Sequence, residues 1–193
     1  MPEPDLVLAS ASPRRLELLA RLGVVPTRVI ATDIDERPRP REIPRAHAVR
    51  LAAEKARAAR HHNAGAVVLA GDTVVGLGRR ILPKTEDEAT ARACLKLLSG
   101  RRHRVFSAIA VINAAGHMRE ALSETIILFK VLTEQEISGY LAGGEWHGKA
   151  GGYAIQGSAE GFCAWLAGSH SGVVGLPLYE TRRLLRAAGL PVA

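Results

Sequence analysis

Apolar residues fall into short runs along this chain, and their spacing switches between continuous stretches, alternation and helical repeats. Leu6-Val-Leu-Ala9 is continuous and short, which predicts a buried strand. It turns through Ser10 and Ser12 into a predicted helix opening Pro13-Arg14-Arg15, with Leu18, Leu19 and Leu22 as its core face up to Gly23. Ser12 suits the N-cap, and Glu17 and Arg21 are spaced as an i,i+4 pair. Val29 and Ile30 lead into the acidic run Asp33-Ile-Asp-Glu36, followed by a Pro/Arg-rich connector from Arg37 to Arg45 that reads as an ordered loop or a mobile flap. An Ala-rich helix is predicted from His47 to Arg60, with Val49, Ala52, Ala53, Ala56 and Ala59 on the apolar side and Lys55 off that stripe.

Val67-Val-Leu-Ala70 predicts a second buried strand, ending at Gly71-Asp72-Thr73. Glu86 to Leu98 reads as a helix stopped by Ser99-Gly100. Two long strands, Val105 to Ile112 and Leu122 to Leu132, are joined by an Asn-Ala-Ala-Gly turn. Thr133 and Glu136 have capping-box spacing for a short helix ended by Gly143-Gly144. A Gly-dense segment from Gly144 to Gly157, then Gly172 to Leu178, precede a closing helix from Tyr179 to Ala188. Strands and helices alternate early and strands pair later, which predicts an α/β fold with a mixed twisted sheet and flanking helices. At 193 residues, without repeat or linker, the whole chain 1–193 is expected to be one domain.

Lys+Arg exceeds Asp+Glu by 26 to 19, which favours anionic partners without separating a nucleotide from a nucleic acid. Aromatics are only 4%, and none alternate with basic residues, which argues against recognition of nucleic acid by base stacking. Cys94 and Cys163 are far apart and lack a zinc-binding pattern, so buried thiols are expected. The start, Met-Pro-Glu-Pro-Asp, has no basic leader region, and no run is long enough for a membrane span. A cytoplasmic protein is expected.

The helix opening at Pro13 carries the most specific chemistry. Its first-turn amides lack intrahelical partners and bear partial positive charge, so Arg14 and Arg15 there cost a few tenths to about 1 kcal/mol each unless an anion lies among them. Serine hydroxyls, free amides and two guanidinium forks suit a phosphate chain. The same residues also describe an ordinary Ser-Pro cap with two solvated arginines. Three carboxylate sites could add hydrolytic chemistry: Asp72 at a strand's carboxyl end, the Asp33, Asp35 and Glu36 run, and Glu145. An Asp after a strand also caps turns, and an acidic run before prolines also stands in solvent. Lys55, Lys84 and Lys149 are three of only five lysines in an Arg-rich chain, and each offers a compact charge for a phosphate oxygen. His103, His117 and His170 have no metal-ligand spacing, and neither a P-loop nor a Gly-x-Ser-x-Gly elbow occurs. Metal-assisted attack by water is therefore favoured over a covalent nucleophile.

These residues together resemble the Maf-like nucleoside triphosphate pyrophosphatases, also called septum-formation-inhibitor-like proteins. The resemblance runs through Ala9-Ser-Ala-Ser-Pro-Arg-Arg15, Asp33-Ile-Asp-Glu36, Arg50-Leu-Ala-Ala-Glu-Lys55-Ala and Gly71-Asp-Thr-Val-Val75. Leu98-Ser-Gly-Arg-Arg-His103, Lys149-Ala-Gly, Ile155-Gln-Gly157 and Val173-Val-Gly-Leu-Pro-Leu178 continue it in order. It implies a two-lobed architecture similar to the inosine triphosphate pyrophosphatases, with a central cleft. It also implies cleavage between the α and β phosphates to a monophosphate and pyrophosphate, with Mg²⁺ or Mn²⁺ as cofactor. By position, Ser10, Ser12, Arg14, Arg15 and Lys149 would bind substrate, with Lys55 and Lys84 assisting catalysis. Glu36 would hold the metal, and Asp72 would hold it or activate water. Thr73 and Gln156 resemble the branch acting on dTTP and UTP, not the one acting on 7-methyl-GTP, and the Gln156 amide can both donate to and accept from a pyrimidine's imide edge. Relatives are often homodimers, and the family's other name implies a second reading, a nucleotide-binding regulator of division with weak turnover. The chain departs from the pattern at Trp146, at Gly148 where an Asp is usual, at Pro83-Lys84-Thr85, and at Ala154.

Overall fold

The computed structural model describes residues 4–192. Residues 1–3, the start of the stretch read as lacking a leader, lie outside the described residues. Strand β1 (Leu6–Ala9) forms as expected and leads into helix α1 (Pro13–Ala20). Strand β2 (Arg28–Ile30) and helix α2 (Pro44–His61) follow, then β3 (Val67–Leu77), β4 (Arg80–Leu82), β5 (Lys84–Thr85) and α3 (Glu88–Leu98). The long hairpin β6 (Arg102–Ile112) and β7 (Met118–Phe129) leads to α4 (Glu134–Ala142), β8 (Lys149–Ala150) and β9 (Cys163–Ala167). Short helix α5 (His170–Val174) and helix α6 (Leu178–Ala187) close the chain.

Seven strands form one mixed sheet in the order β2-β1-β3-β6-β7-β9, with β4 on β3, while β5 and β8 make a separate two-stranded sheet. The central strands β1, β3 and β6 are buried on both faces, and strand alternation divides their side chains between two cores. Leu6, Leu8, Leu69, Ile109 and Val111 meet Leu18 and Leu19 of α1 and Leu185 of α6. Val7, Ala9, Val68, Ala70 and Ala110 meet Ala48, Ala52, Ala56 and Ala59 of α2. Alanine on both sides lets α2 lie close against the sheet. At Gly76 the approach leaves no room for a side chain, since a Cβ would stand 2.7 Å from the Pro44 ring.

Several sequence expectations need correction. α2 starts at Pro44, not His47, because Pro at a first helical position needs no amide partner. Lys55 is not off the apolar face: it is 7% exposed. β3 does not end at Ala70. Its parallel partner β1 stops at Ala9, paired with Ala70, but antiparallel β6 pairs with β3 through to Gly76. Asp72 therefore lies within a strand, two residues beyond the end of the β1 pairing. Ser12 occupies the N-cap without a capping side-chain bond, and no Glu17–Arg21 ion pair forms among the described residues. The 37–45 connector is the ordered alternative: the Glu42 carboxylate accepts from Arg50 Nε at 2.7 Å and pairs with His47 Nδ1 at 2.8 Å. The Thr133–Glu136 capping box forms as read. Cys94 is buried, but Cys163 on edge strand β9 is only partly so, and both are free thiols. Among the described residues no helix is long and apolar enough to cross a membrane.

Candidate active site

Where β1 ends and α1 begins, the chain leaves donors uncommitted. The Ser12 hydroxyl makes no cap bond, and the first turn of α1 contains no acidic residue. Arg15 is held from three directions: its Nε donates to the Gly175 carbonyl at 2.8 Å, Nη1 to Ser10 Oγ at 3.1 Å and Nη2 to Thr73 Oγ1 at 3.4 Å. Thr73 Oγ1 in turn lies 3.2 Å from Ser107 Oγ across the β3–β6 pairing. Each terminal guanidinium nitrogen carries two N–H groups, so each keeps one beyond these contacts. The guanidinium lies over Gly71, where a Cβ would touch Nε at 3.5 Å and press on the Ala108 carbonyl at 3.2 Å.

Lys55 of α2 meets Asp72 of β3 on the same floor. Its Nζ lies 2.7 Å from Asp72 Oδ1 and 2.7 Å from Glu36 Oε1, so one ammonium joins carboxylates from two distant segments. The second Glu36 oxygen is paired with Lys84 on β5. Burial alone would raise the Glu36 carboxyl, but hydrogen bonds from Lys55 and Lys84 outweigh it and bring it down to about 2. Asp35 points elsewhere and pairs with exposed Arg37 at 2.7 Å, which separates Glu36 from its acidic neighbours. Glu145 accepts from the Ser158 amide at 2.9 Å and its hydroxyl at 2.8 Å; it holds a loop and does not line the cavity.

The cavity so formed measures about 410 Å³. Ser12, Arg14, Arg15, Lys55, Asp72, Thr73, Lys84 and Lys149 all line it, while buried Ser10 stands behind Arg15. Five cationic side chains thus surround the space; Asp72 and Glu36 are ion-paired with its lysines, and Glu17 and Glu145 act on Arg14 and Lys149 from farther off. Burial first, then the charge on Arg15, lowers the Arg14 guanidinium; burial and then Arg14 lower the Lys149 ammonium. An anion among them would relieve both effects. Gln156 is exposed and is not part of this wall. On the other side of Asp72 and Lys84 lies an apolar hollow of about 360 Å³, against Leu51, Val74 and Ile81.

Two histidines to which the sequence reading gave no role belong to this region. His147 lines the cavity mouth, and its carbonyl accepts from Lys149 Nζ at 2.9 Å. Buried His103 lies behind the wall, with Nε2 2.9 Å from the hydroxyl of cavity-lining Tyr153. Burial pulls the His103 imidazole down to about 4. The imidazole is then neutral in both states above pH 6.5. Between pH 6.5 and about 4 the unfolded chain binds a proton that the native state refuses. Stability is therefore expected to fall by about 3 kcal/mol as pH drops through that window, and His103→Phe should flatten this part of the slope in urea unfolding. Equal slopes in the two proteins would contradict it.

Trp146 and Gly148, where the chain departs from the Maf pattern, are both accommodated locally. Trp146 Nε1 donates to the Leu141 carbonyl at 2.8 Å, and Gly148 takes φ +66°, a left-handed conformation, while its amide donates to the Thr85 carbonyl at 2.8 Å.

The family model described as Maf-like protein matches residues 5–188. A dTTP/UTP pyrophosphatase of Novosphingobium aromaticivorans is 78% identical over 98% of this chain and 94% of that protein. Proteins of the same description from Caulobacter vibrioides and Rhodospirillum rubrum are 57% and 56% identical, over 96% and 95% of this chain and 96% and 88% of their own lengths. Among solved structures, a dITP/XTP pyrophosphatase from Mycobacterium abscessus aligns with 65% of this chain and 72% of that one, at TM-score 0.41 and 18% identity, a distance at which it says nothing about function. Near-complete coverage by the family model, and relatives this similar along their whole lengths, settle the affiliation: this chain belongs to the Maf family.

Proposed function

We propose that this protein is a nucleoside triphosphate pyrophosphatase that hydrolyses dTTP and UTP to the monophosphate and pyrophosphate. The observation that carries the proposal is five cationic side chains around one cavity at a helix N-terminus, with a buried carboxylate on its floor. That balance of charge suits a triphosphate, whose oxygens Arg14, Arg15, Lys149, the Ser12 hydroxyl and the α1 amides would bind. Ser10 and Thr73 would orient Arg15. The relatives' printed activity supplies the substrate.

In the proposed reaction a water oxygen bonds to the α phosphorus and the bridging oxygen to the β phosphorus leaves with pyrophosphate. Asp72 accepts the water proton. Lys55 holds Asp72 and Glu36 at fixed positions, and Lys84 neutralises charge on the departing pyrophosphate. The donor chemistry suits a divalent cation such as Mg²⁺ or Mn²⁺, which takes one or two carboxylates and completes its shell with substrate phosphates: both Glu36 oxygens are paired with Lys55 and Lys84, while Oδ2 of Asp72 makes no hydrogen bond among the described residues. Glu36 and Asp72 would hold the ion, whose contribution would be to neutralise charge on the phosphates. The Gln156 amide would read the pyrimidine edge. We take the chain as one domain whose two lobes face this cavity.

A substrate panel tests the proposal. With Mg²⁺ present, kcat/KM for pyrophosphate release should be highest for dTTP and UTP; a purine triphosphate ranking first would overturn the base assignment.

A further inference from the structure

The Leu98-Ser-Gly-Arg-Arg-His103 stretch ends on a side chain the chemistry does not use. His103 is 2% exposed at the start of β6, and among the described residues its Nδ1 makes no well-formed hydrogen bond, only an interaction with the Arg101 backbone. Its Nε2 is spent on the Tyr153 hydroxyl. The Tyr153 ring meets His103 and Phe129 edge-on, with centroids 5.5 and 4.9 Å away. Phenylalanine at position 153 would keep those ring contacts without the hydroxyl. A buried polar pair is a costly way to build an apolar cluster, so packing alone does not account for it.

What the pair does is join two parts of the cavity wall. Antiparallel pairing places Val105 of β6 opposite Val75 of β3 and Ser107 opposite Thr73, so β6 is in fixed register with the strand that carries Asp72. Tyr153 belongs to the facing segment, between Lys149 and Gln156. Its neighbours are tied as well: the Ala154 amide donates to the Tyr140 hydroxyl at 3.0 Å, and a Cβ at Gly152 would stand 3.2 Å from the Ala91 backbone. Three consecutive residues thus meet α3, β6 and α4, and Gly151 just before them packs on Val75 of β3, where a Cβ would stand 3.0 Å from the valine side chain; the His103 contact is the hydrogen bond that refers the segment to β6, the strand registered with Asp72.

We propose that His103 is a positioning residue: through the Tyr153 hydroxyl it sets the Lys149–Gln156 segment at the distance from Arg15 and Asp72 that a nucleoside triphosphate requires. This rests on the pyrophosphatase reading. The segment contributes to binding and not to the reacting bond, so its displacement weakens affinity more than turnover.

Steady-state pyrophosphate release from dTTP, measured at a temperature where circular dichroism shows every protein folded, tests it. His103→Phe and Tyr153→Phe should each raise KM about tenfold with kcat within about twofold. His103→Gln, whose amide can still meet the hydroxyl, should stay within about threefold of the original KM. Unchanged KM in both phenylalanine variants, whatever their melting temperatures, or an equal rise in His103→Gln, would overturn the positioning role. If the unaltered protein releases no pyrophosphate, the functional reading fails instead. The variants are then compared by dissociation constant for dTTP, with the same ratios expected and the same equalities overturning the proposal.

Discussion

Asp72→Asn is expected to lower kcat for dTTP by about a thousandfold, the middle of the range for loss of a general base. The substitution keeps shape and an oxygen that can accept from Lys55, and Lys55 retains Glu36 as a charged partner 2.7 Å away. What disappears is a group able to take the proton of the attacking water, together with one of the two carboxylates paired with Lys55. The loss should therefore fall on the chemical step, with the native circular dichroism spectrum preserved. Activity within tenfold of the original would remove Asp72 from the mechanism.

Arg15→Ala should lower kcat/KM for dTTP by about 10²–10³-fold, as expected when one preorganised charged donor is withdrawn from developing phosphate charge. Arg15 is preorganised because Gly175, Ser10 and Thr73 each accept one of its N–H groups, which fixes the plane of the fork. Arg15→Lys should recover little, since an ammonium cannot meet three acceptors in that plane and still present paired donors to a phosphate. Activity near the original in Arg15→Lys would show that charge, and not the fork, is what matters there.

The parts of this arrangement that depend on neighbouring residues were legible in the chain. Ser12-Pro-Arg-Arg15 announced a helix start with basic residues where acids are favoured, and the Thr133–Glu136 spacing announced a capping box that forms. What depended on remote pairing was not. Lys55 stood off the apolar stripe of its helix, and its burial follows from partners that spacing does not announce, Glu36 and Asp72, 19 and 17 residues away. Asp72 followed an apolar run that seemed complete at Ala70, and only the antiparallel strand β6 extends it. Composition could not separate Glu36 from Asp35; Arg37 does so by pairing with Asp35. His103 and Tyr153 are 50 residues apart, and neither stands in a ligand-like spacing. Each miss has the same physical origin: a polar residue within an apolar setting is intelligible only with its partner, and the partner is set by topology.

The most direct measurement is the identity of the products. With dTTP and Mg²⁺, ³¹P NMR of the reaction should show dTMP and pyrophosphate appearing together in equal amounts, and both should be nearly abolished by Asp72→Asn. Orthophosphate with dTDP, or tight dTTP binding without any cleavage, would contradict the account.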